Sequence, residues 1–246
     1  MSIETEEELE ALKAAGRVVA AAIRAMSAAV RPGVTTVELD EVGERVFRRF
    51  GARSGPWLEY GFPGTNCISV NDEAVHGIPG RRRLREGDLV KLDVTAELDG
   101  FYADACVSVP VGRPDEVGLA LVAAAHRALS RGMACARAGE PVNAIGAAVE
   151  QSVTGDGYAV CRELVGHGIG RRLHESPDVP NHYVAALSEP LTEGLVLTIE
   201  PVISAGSGAV RGARDGWTVK TADRALSAHV EHTVVITSGQ PLVLTA

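Results

Sequence analysis

Leu84-Arg85-Glu86-Gly87-Asp88-Leu89-Val90-Lys91-Leu92-Asp93 passes from a turn into an apolar strand that ends on an acid. Leu191-Thr192-Glu193-Gly194-Leu195-Val196-Leu197-Thr198-Ile199-Glu200 does the same. Two further matches precede this one in each half. Arg31-Pro32-Gly33 recurs as Arg137-Ala138-Gly139, at nearly the same spacing, and His76-Gly77-Ile78 recurs as His167-Gly168-Ile169. Three matches in one order read as an internal duplication. The expected architecture is α/β (α+β): a pseudo-twofold antiparallel sheet flanked by two helix pairs. The expected organisation is one domain, 1–246, of two similar halves, about 1–110 and 111–246. Carrying the spacing onward sets Asp93 opposite Glu200, so a site would lie where the halves meet.

The flanking sequence fits that order. Leu9, Leu12, Val19, Ile23 and Met26 mark an amphipathic helix through the first 30 residues, broken at Arg31-Pro32-Gly33. Thr35, with Glu38 three residues on, opens a second helix that stops at Gly51. Gly55 to Gly64 reads as a loop. Strands are expected at Cys67 to Val70, Leu89 to Ala96 and Phe101 to Val109, the last two joined by a turn at Asp99-Gly100. Gly112 to Pro114 punctuates the middle. Helices at Val117 to Ala136 and Val142 to Val153 follow, then strands at Ala159 to Val165, Leu195 to Ile203 and His229 to Ile236.

Composition bounds the function. The 246 residues hold 24 Lys+Arg against 32 Asp+Glu, a formal net charge of -8. That balance argues against nucleic-acid binding through bulk charge. With 46% hydrophobic and 23% charged residues, the chain has the makeup of a soluble globular protein, not a disordered one. No apolar run approaches the roughly 20 residues that span a bilayer. Met1 to Leu9 is acidic and lacks an apolar signal core, so a cytoplasmic location is expected, with no membrane partner. Cys67, Cys106, Cys135 and Cys161 show neither metal-ligand nor disulfide-framework spacing.

The chemistry lies in acids within apolar strands. Folding the hairpin at Asp99-Gly100 sets Leu98 against Phe101 and Asp93 against Cys106. Asp104 then shares a face with Asp93 as its diagonal neighbour, about 7–8 Å away. Two such anions are either solvated surface groups or ligands of a shared cation. Glu200 ends the second apolar strand. In His229-Val230-Glu231-His232-Thr233, alternation puts His229, Glu231 and Thr233 on one face. For Glu200 or Glu231 alone, a buried salt bridge explains the acid as well as a metal does. The glycines of Gly166-His167-Gly168 let the backbone approach a neighbour closely. Four strand acids with one glycine-flanked imidazole suit Mn, Fe or Co more than a structural Zn. They are too many for one open ion, whereas two ions about 3.5–4 Å apart use them all and support hydrolysis.

Together these segments resemble the type I methionine aminopeptidases of the pita-bread fold. The resemblance rests on Asn66 to Asn71 with Val75 to Pro79, Leu92 to Val94 with Asp99 to Asp104, and Gly166 to Gly170 with His174-Glu175. It continues in Thr198 to Pro201 and in Asp215 to Thr221 with Ser227 to Thr233, so it covers nearly the whole chain. It implies a single catalytic domain that removes N-terminal methionine from nascent chains with a small second residue. Asp93, Asp104, His167, Glu200 and Glu231 correspond to the ligands of two divalent ions (Co, Mn or Fe), with Asp104 and Glu231 shared. Glu200 corresponds to the proton shuttle, His174 to the donor at the substrate carbonyl oxygen, and His76 to a positioning group near the scissile nitrogen. Phe62, Cys67 and Trp217 correspond to the methionine pocket. The family is mostly monomeric, and its substrates place it near the ribosome. The chain departs from the family at Glu59 and Leu173, both expected to touch the pocket, and at Leu164. The alternatives are a prolidase or Xaa-Pro aminopeptidase, usually preceded by another domain, and a non-catalytic binding module that would have lost ligands.

Overall fold

The computed structural model of the chain describes residues 1–113 and 115–246, so the Pro114 end of the expected punctuation lies outside the described residues. Helix α1 (Glu6–Ala29) starts at Thr5, whose side chain accepts from the Glu8 N–H, and its first turn carries Glu6, Glu7 and Glu8 against the positive helix end. Helix α2 (Thr36–Phe50) starts with the full capping box of Thr35 and Glu38 and ends at left-handed Gly51, as its sequence predicts. Strand β1 (Arg53–Ser54) leads into a short helix, α3 (Gly55–Tyr60), within the stretch expected to be a loop. Ser54 caps it, Pro56 fits its first turn, and Gly61 ends it at φ 70°.

Strands β2 (Cys67–Val70), β3 (Glu73–Val75), β4 (Leu89–Leu98) and β5 (Phe101–Pro110) complete this part. The β4–β5 hairpin has the expected register, with Leu98 opposite Phe101 and Asp93 opposite Cys106. Its turn places Asp99 at φ 50° and Gly100 at φ 85°, the left-handed pair that a two-residue turn needs. β2 and β1 line one edge of β4 and β5 the other, so Asp93 stands between Cys67 and Cys106 on a central strand.

The chain continues through α4 (Glu116–Cys135), α5 (Val142–Gly155), β6 (Ala159–Val160), β7 (Val165–Gly168) and β8 (Glu175–Pro180). Then come β9 (Val196–Ile199), β10 (Val202–Ser204), β11 (Val210–Gly212), β12 (Val219–Thr221), β13 (Ser227–His229), β14 (His232–Val235) and β15 (Leu242–Val243). One sheet has the order β15-β14-β9-β7-β8, and two smaller ones are β13-β10-β6 and β11-β12-β3. Three expected strands each divide in two. Ala159 to Val165 becomes β6 and β7, and Leu195 to Ile203 becomes β9 and β10. His229 to Ile236 becomes β13 and β14. Pro201 has no N–H for a ladder, so the chain leaves one sheet and enters the next at Glu200-Pro201.

Two cores result. Val19, Ile23, Met26 and Phe47 of α1 and α2 pack on Leu92, Val94 and Ala103 of the hairpin. Leu121, Leu129, Ile145 and Val149 of α4 and α5 pack on Leu197, Ile199 and Ile203. The turn between the two helices of each pair repeats bond for bond. Gly33 N–H donates to Leu84 at 2.7 Å, and Gly139 N–H to Leu191 at 2.9 Å. Leu84 N–H returns to Val34, and Leu191 N–H to Glu140, both at 2.8 Å. Gly33 and Gly139 share φ values of 89° and 91°. The His-Gly-Ile match is different: His76 follows β3 outside any strand at φ 57°, whereas His167 lies within β7. Among the described residues no helix is long and apolar enough to cross a membrane.

Candidate metal centre

Side-chain hydroxyls splice the hairpin to the second set of strands. Thr233 Oγ1 accepts from the Asp104 N–H at 2.9 Å and donates to the Asp104 carbonyl at 2.7 Å. Glu231 N–H donates to the Cys106 carbonyl at 2.9 Å. Ser108 Oγ accepts from the His229 N–H at 2.9 Å and donates to the His229 carbonyl at 2.8 Å. Asp104, Cys106 and Ser108 thus meet Thr233, Glu231 and His229 in antiparallel order. On their other side β14 and β13 run against β9 and β10, with His232 opposite Ile199 and His229 opposite Val202. The same register sets Glu231 opposite Glu200, and this juxtaposition carries the acids from two sheets into one cleft.

His167 is placed by its glycines. A Cβ at Gly166 would stand 2.6 Å from the Thr198 carbonyl oxygen, and one at Gly168 2.2 Å from that of Ser176. Thr198 Oγ1 accepts from the His167 N–H at 2.9 Å and donates to Glu200 Oε1 at 2.9 Å, tying the two groups together. His167 Nδ1 lies 2.9 Å from the Gly168 carbonyl. A carbonyl only accepts, so Nδ1 carries the proton and Nε2 presents a lone pair.

The donor atoms fall into two clusters, Asp104-His167-Glu231 and Glu200-His229-Glu231, with Glu231 in both. Asp93 belongs to neither, but it lines the same cavity of about 490 Å³, diagonal to Asp104. Burial pushes Asp93 and Glu231 well above the usual carboxylate range, and the neighbouring acids push the same way. Burial also raises Asp104, though His167 opposes it. Glu200 ends below its ordinary range, because contacts with His229, His167 and Thr198 outweigh burial. Asp104 Oδ1, Glu231 Oε1 and both ring nitrogens of His229 are buried without a hydrogen-bond partner. Acids that resist ionisation beside unpaired acceptors are what a divalent cation relieves, so the residues present fit such ions.

His76 and His174 face the cleft. His76 holds φ 57°, a region few residues other than glycine adopt, and such strain gathers at functional sites. Its surroundings push its pKa down, burial first and then His229, against an opposing pull from Glu200. The His174 ring meets the His167 ring edge-on at 4.2 Å between centroids. Burial, then the His167 and His76 rings, push His174 down to about 4, so it is neutral at pH 7. Tyr60, at the end of α3, places its hydroxyl 2.6 Å from His174 Nδ1. A phenol donating there leaves the ring proton on Nε2.

A smaller pocket of about 250 Å³ opens beside the acids, lined by Phe62, Cys67 and Trp217 together with Tyr60 and Leu173. Phe62 and Trp217 meet edge to face at 5.3 Å. Asp215 positions Trp217 by accepting from its N–H at 2.9 Å. Cys67 remains a thiol, because burial and then Asp93 push its pKa far up. Leu173 lines the pocket as expected, but Glu59 does not. Its carboxylate turns to Arg172 Nη2, 3.6 Å away. Leu164 lines the larger cavity. Sequence reasoning assigned no role to His229 or Tyr60. Alternation had put His229 on the Glu231 face, but nothing local showed what that face meets. Tyr60 was hidden by reading α3 as a loop.

Residues 10–238 match the model of metallopeptidase family M24. The chain belongs to this family. Within it, the chain is 43% identical over 247 residues to methionine aminopeptidase 2 of Bacillus subtilis, covering 100% of this chain and 99% of the relative. The crystal structure of methionine aminopeptidase from Rickettsia prowazekii superposes with a TM-score of 0.96 at 34% identity, covering 100% of both chains. The fold is therefore the pita-bread fold. The prolidase from Pyrococcus furiosus shares that fold at a TM-score of 0.80 and 23% identity, and only 65% of its chain is covered.

Proposed function

We propose that the protein is a methionine aminopeptidase, hydrolysing the first peptide bond of nascent chains that begin with methionine. The observation that carries this reading is the meeting of four strand acids and His167 in one buried cleft beside an apolar, thiol-bearing pocket. In this reading Asp93, Asp104, His167, Glu200 and Glu231 would hold two divalent ions (Co, Mn or Fe). Such ions supply a water acidic enough to ionise near neutral pH and polarise a carbonyl. Glu200, kept ionised by its neighbours, accepts a proton and returns it to the leaving amine. His174 donates from Nε2 to the carbonyl oxygen as negative charge develops there. His76 orients the scissile amide. Phe62, Cys67 and Trp217 receive the thioether side chain.

The chain acts as one catalytic domain of two similar halves, about 1–110 and 111–246. The repeated bonds at the turn between each pair's helices support that division. We further propose a cytoplasmic monomer that works close to the ribosome on emerging N-termini. Full-length coverage of methionine aminopeptidases favours this activity over a prolidase, and the intact acid set favours it over a non-catalytic module. The test is the peptide Met-Ala-Ser, expected to lose methionine only when a divalent metal is supplied. Cleavage of an Xaa-Pro peptide with Met-Ala-Ser left intact would overturn the reading.

A further inference from the structure

We infer that His229 is a metal ligand of this protein, a second imidazole set on the Glu200–Glu231 side of the cleft. This rests on the two-ion reading above. His229 is only 2% exposed, and its backbone is clamped on both sides, by Ser108 and by pairing with Val202. Its Nε2 lies 3.6 Å from Glu200 Oε2 and 3.6 Å from Glu231 Oε2. That is too long for a hydrogen bond. It fits ligand atoms arranged around a common centre. Two donors each about 2.1 Å from one ion, about 90–120° apart, stand about 3.0–3.6 Å from each other.

Nothing else claims the ring. Neither of its nitrogens has a hydrogen-bond partner among the described residues, and Glu231 Oε1 beside it also lacks one. Glu231 joins both donor clusters, so the arrangement gives each cluster one imidazole: His167 with Asp104, and His229 with Glu200. An added nitrogen donor favours Co or Fe over Mn, which prefers oxygen ligands.

The test strips the protein of metal and titrates Co2+ and Mn2+ calorimetrically into wild type and His229→Gln. The expected result is at least a tenfold loss of Co2+ affinity at one site, with a smaller loss for Mn2+. Pulsed EPR of wild type carrying two equivalents of Mn2+, so that both clusters are filled, provides a check that needs no folded variant. Two classes of coupled imidazole nitrogen support the inference. A single nitrogen class, or Co2+ affinity within twofold of wild type in His229→Gln, overturns it and leaves His229 a neighbour of the carboxylates. His167→Ala separates the two readings: if it also leaves metal affinity unchanged, the two-ion site itself is wrong.

Discussion

Lys91 is one of only three lysines in the chain, and it is fully buried one turn of the pleat from Asp93. Its ammonium donates to the Asn71 carbonyl at 2.8 Å and to the Ser227 carbonyl and hydroxyl at 3.2 Å, and among the described residues it makes no salt bridge. Burial pulls its pKa down to about 7, against a weaker pull from Glu73. Between that value and the ordinary lysine range the unfolded chain binds the extra proton. Lys91 therefore makes the protein more stable as pH rises from 7 to 9, by at most about 1.4 kcal/mol per pH unit. Chemical denaturation of wild type and Lys91→Met across that interval should show the slope reduced in the variant. Tyr60 offers a second test at this scale. Losing its hydroxyl frees the His174 tautomer, so Tyr60→Phe should lower kcat about tenfold or more with KM changed little, as for a group acting in the transition state. An unchanged kcat would remove Tyr60 from the positioning of His174.

Among the elements, the splice between β5 and β14 matters most. Thr233→Val keeps the side-chain shape but removes both bonds to Asp104, leaving its N–H and carbonyl buried and unpaired. A loss of about 1–3 kcal/mol is expected, seen as a fall of roughly 2–10 °C in Tm. Gly168→Ala meets a backbone oxygen at 2.2 Å that cannot move aside without disturbing β8. It should cost more than Thr233→Val and should weaken metal binding by displacing His167. Metal affinity equal to wild type in Gly168→Ala would show that the His167 strand has room to adjust. These local effects arise because β5 and β14 belong to different sheets and are not ladder partners. Side-chain hydroxyls supply what main-chain pairing would supply in a continuous sheet.

For the whole molecule, the concentration of acids makes metal a determinant of stability. Asp93, Asp104 and Glu231 have folded pKa values raised by burial first, with acidic neighbours adding to it at Asp93 and Glu231. A raised group favours the folded state fully below its unfolded pKa, and that contribution is lost as pH climbs through the folded value. The metal-free protein should therefore lose this stabilisation as pH rises above the ordinary carboxylate range, and bound cations should restore it. Saturating Mn2+ or Co2+ should raise Tm more at pH 7.5 than at pH 5, measured by differential scanning fluorimetry. Equal shifts at both pH values would mean that the acids are not what the ions neutralise.

Much of this was legible along the chain because it depends on near neighbours. Helix periodicity, the Thr35-Glu38 box and the Asp99-Gly100 turn are local, so α1, α2 and the register of Asp93 against Cys106 could be read directly. The acids stood out because each interrupts an apolar strand, and the chain-wide motif set pointed to the family. Contacts between distant segments left no local signal. The division of strands at Glu200-Pro201, the Thr233 and Ser108 bonds and the turn of Glu59 toward Arg172 depend on which segments meet after folding. So do the approach of Tyr60 to His174 and the unpartnered His229 beside two carboxylates. By itself the sequence determined the helices, the hairpin, the duplicated turns and the types of donor group present. Only the tertiary structure decided which donors share a cleft. Periodicity and capping act within a few residues, whereas convergence of side chains requires burial that only long-range packing supplies.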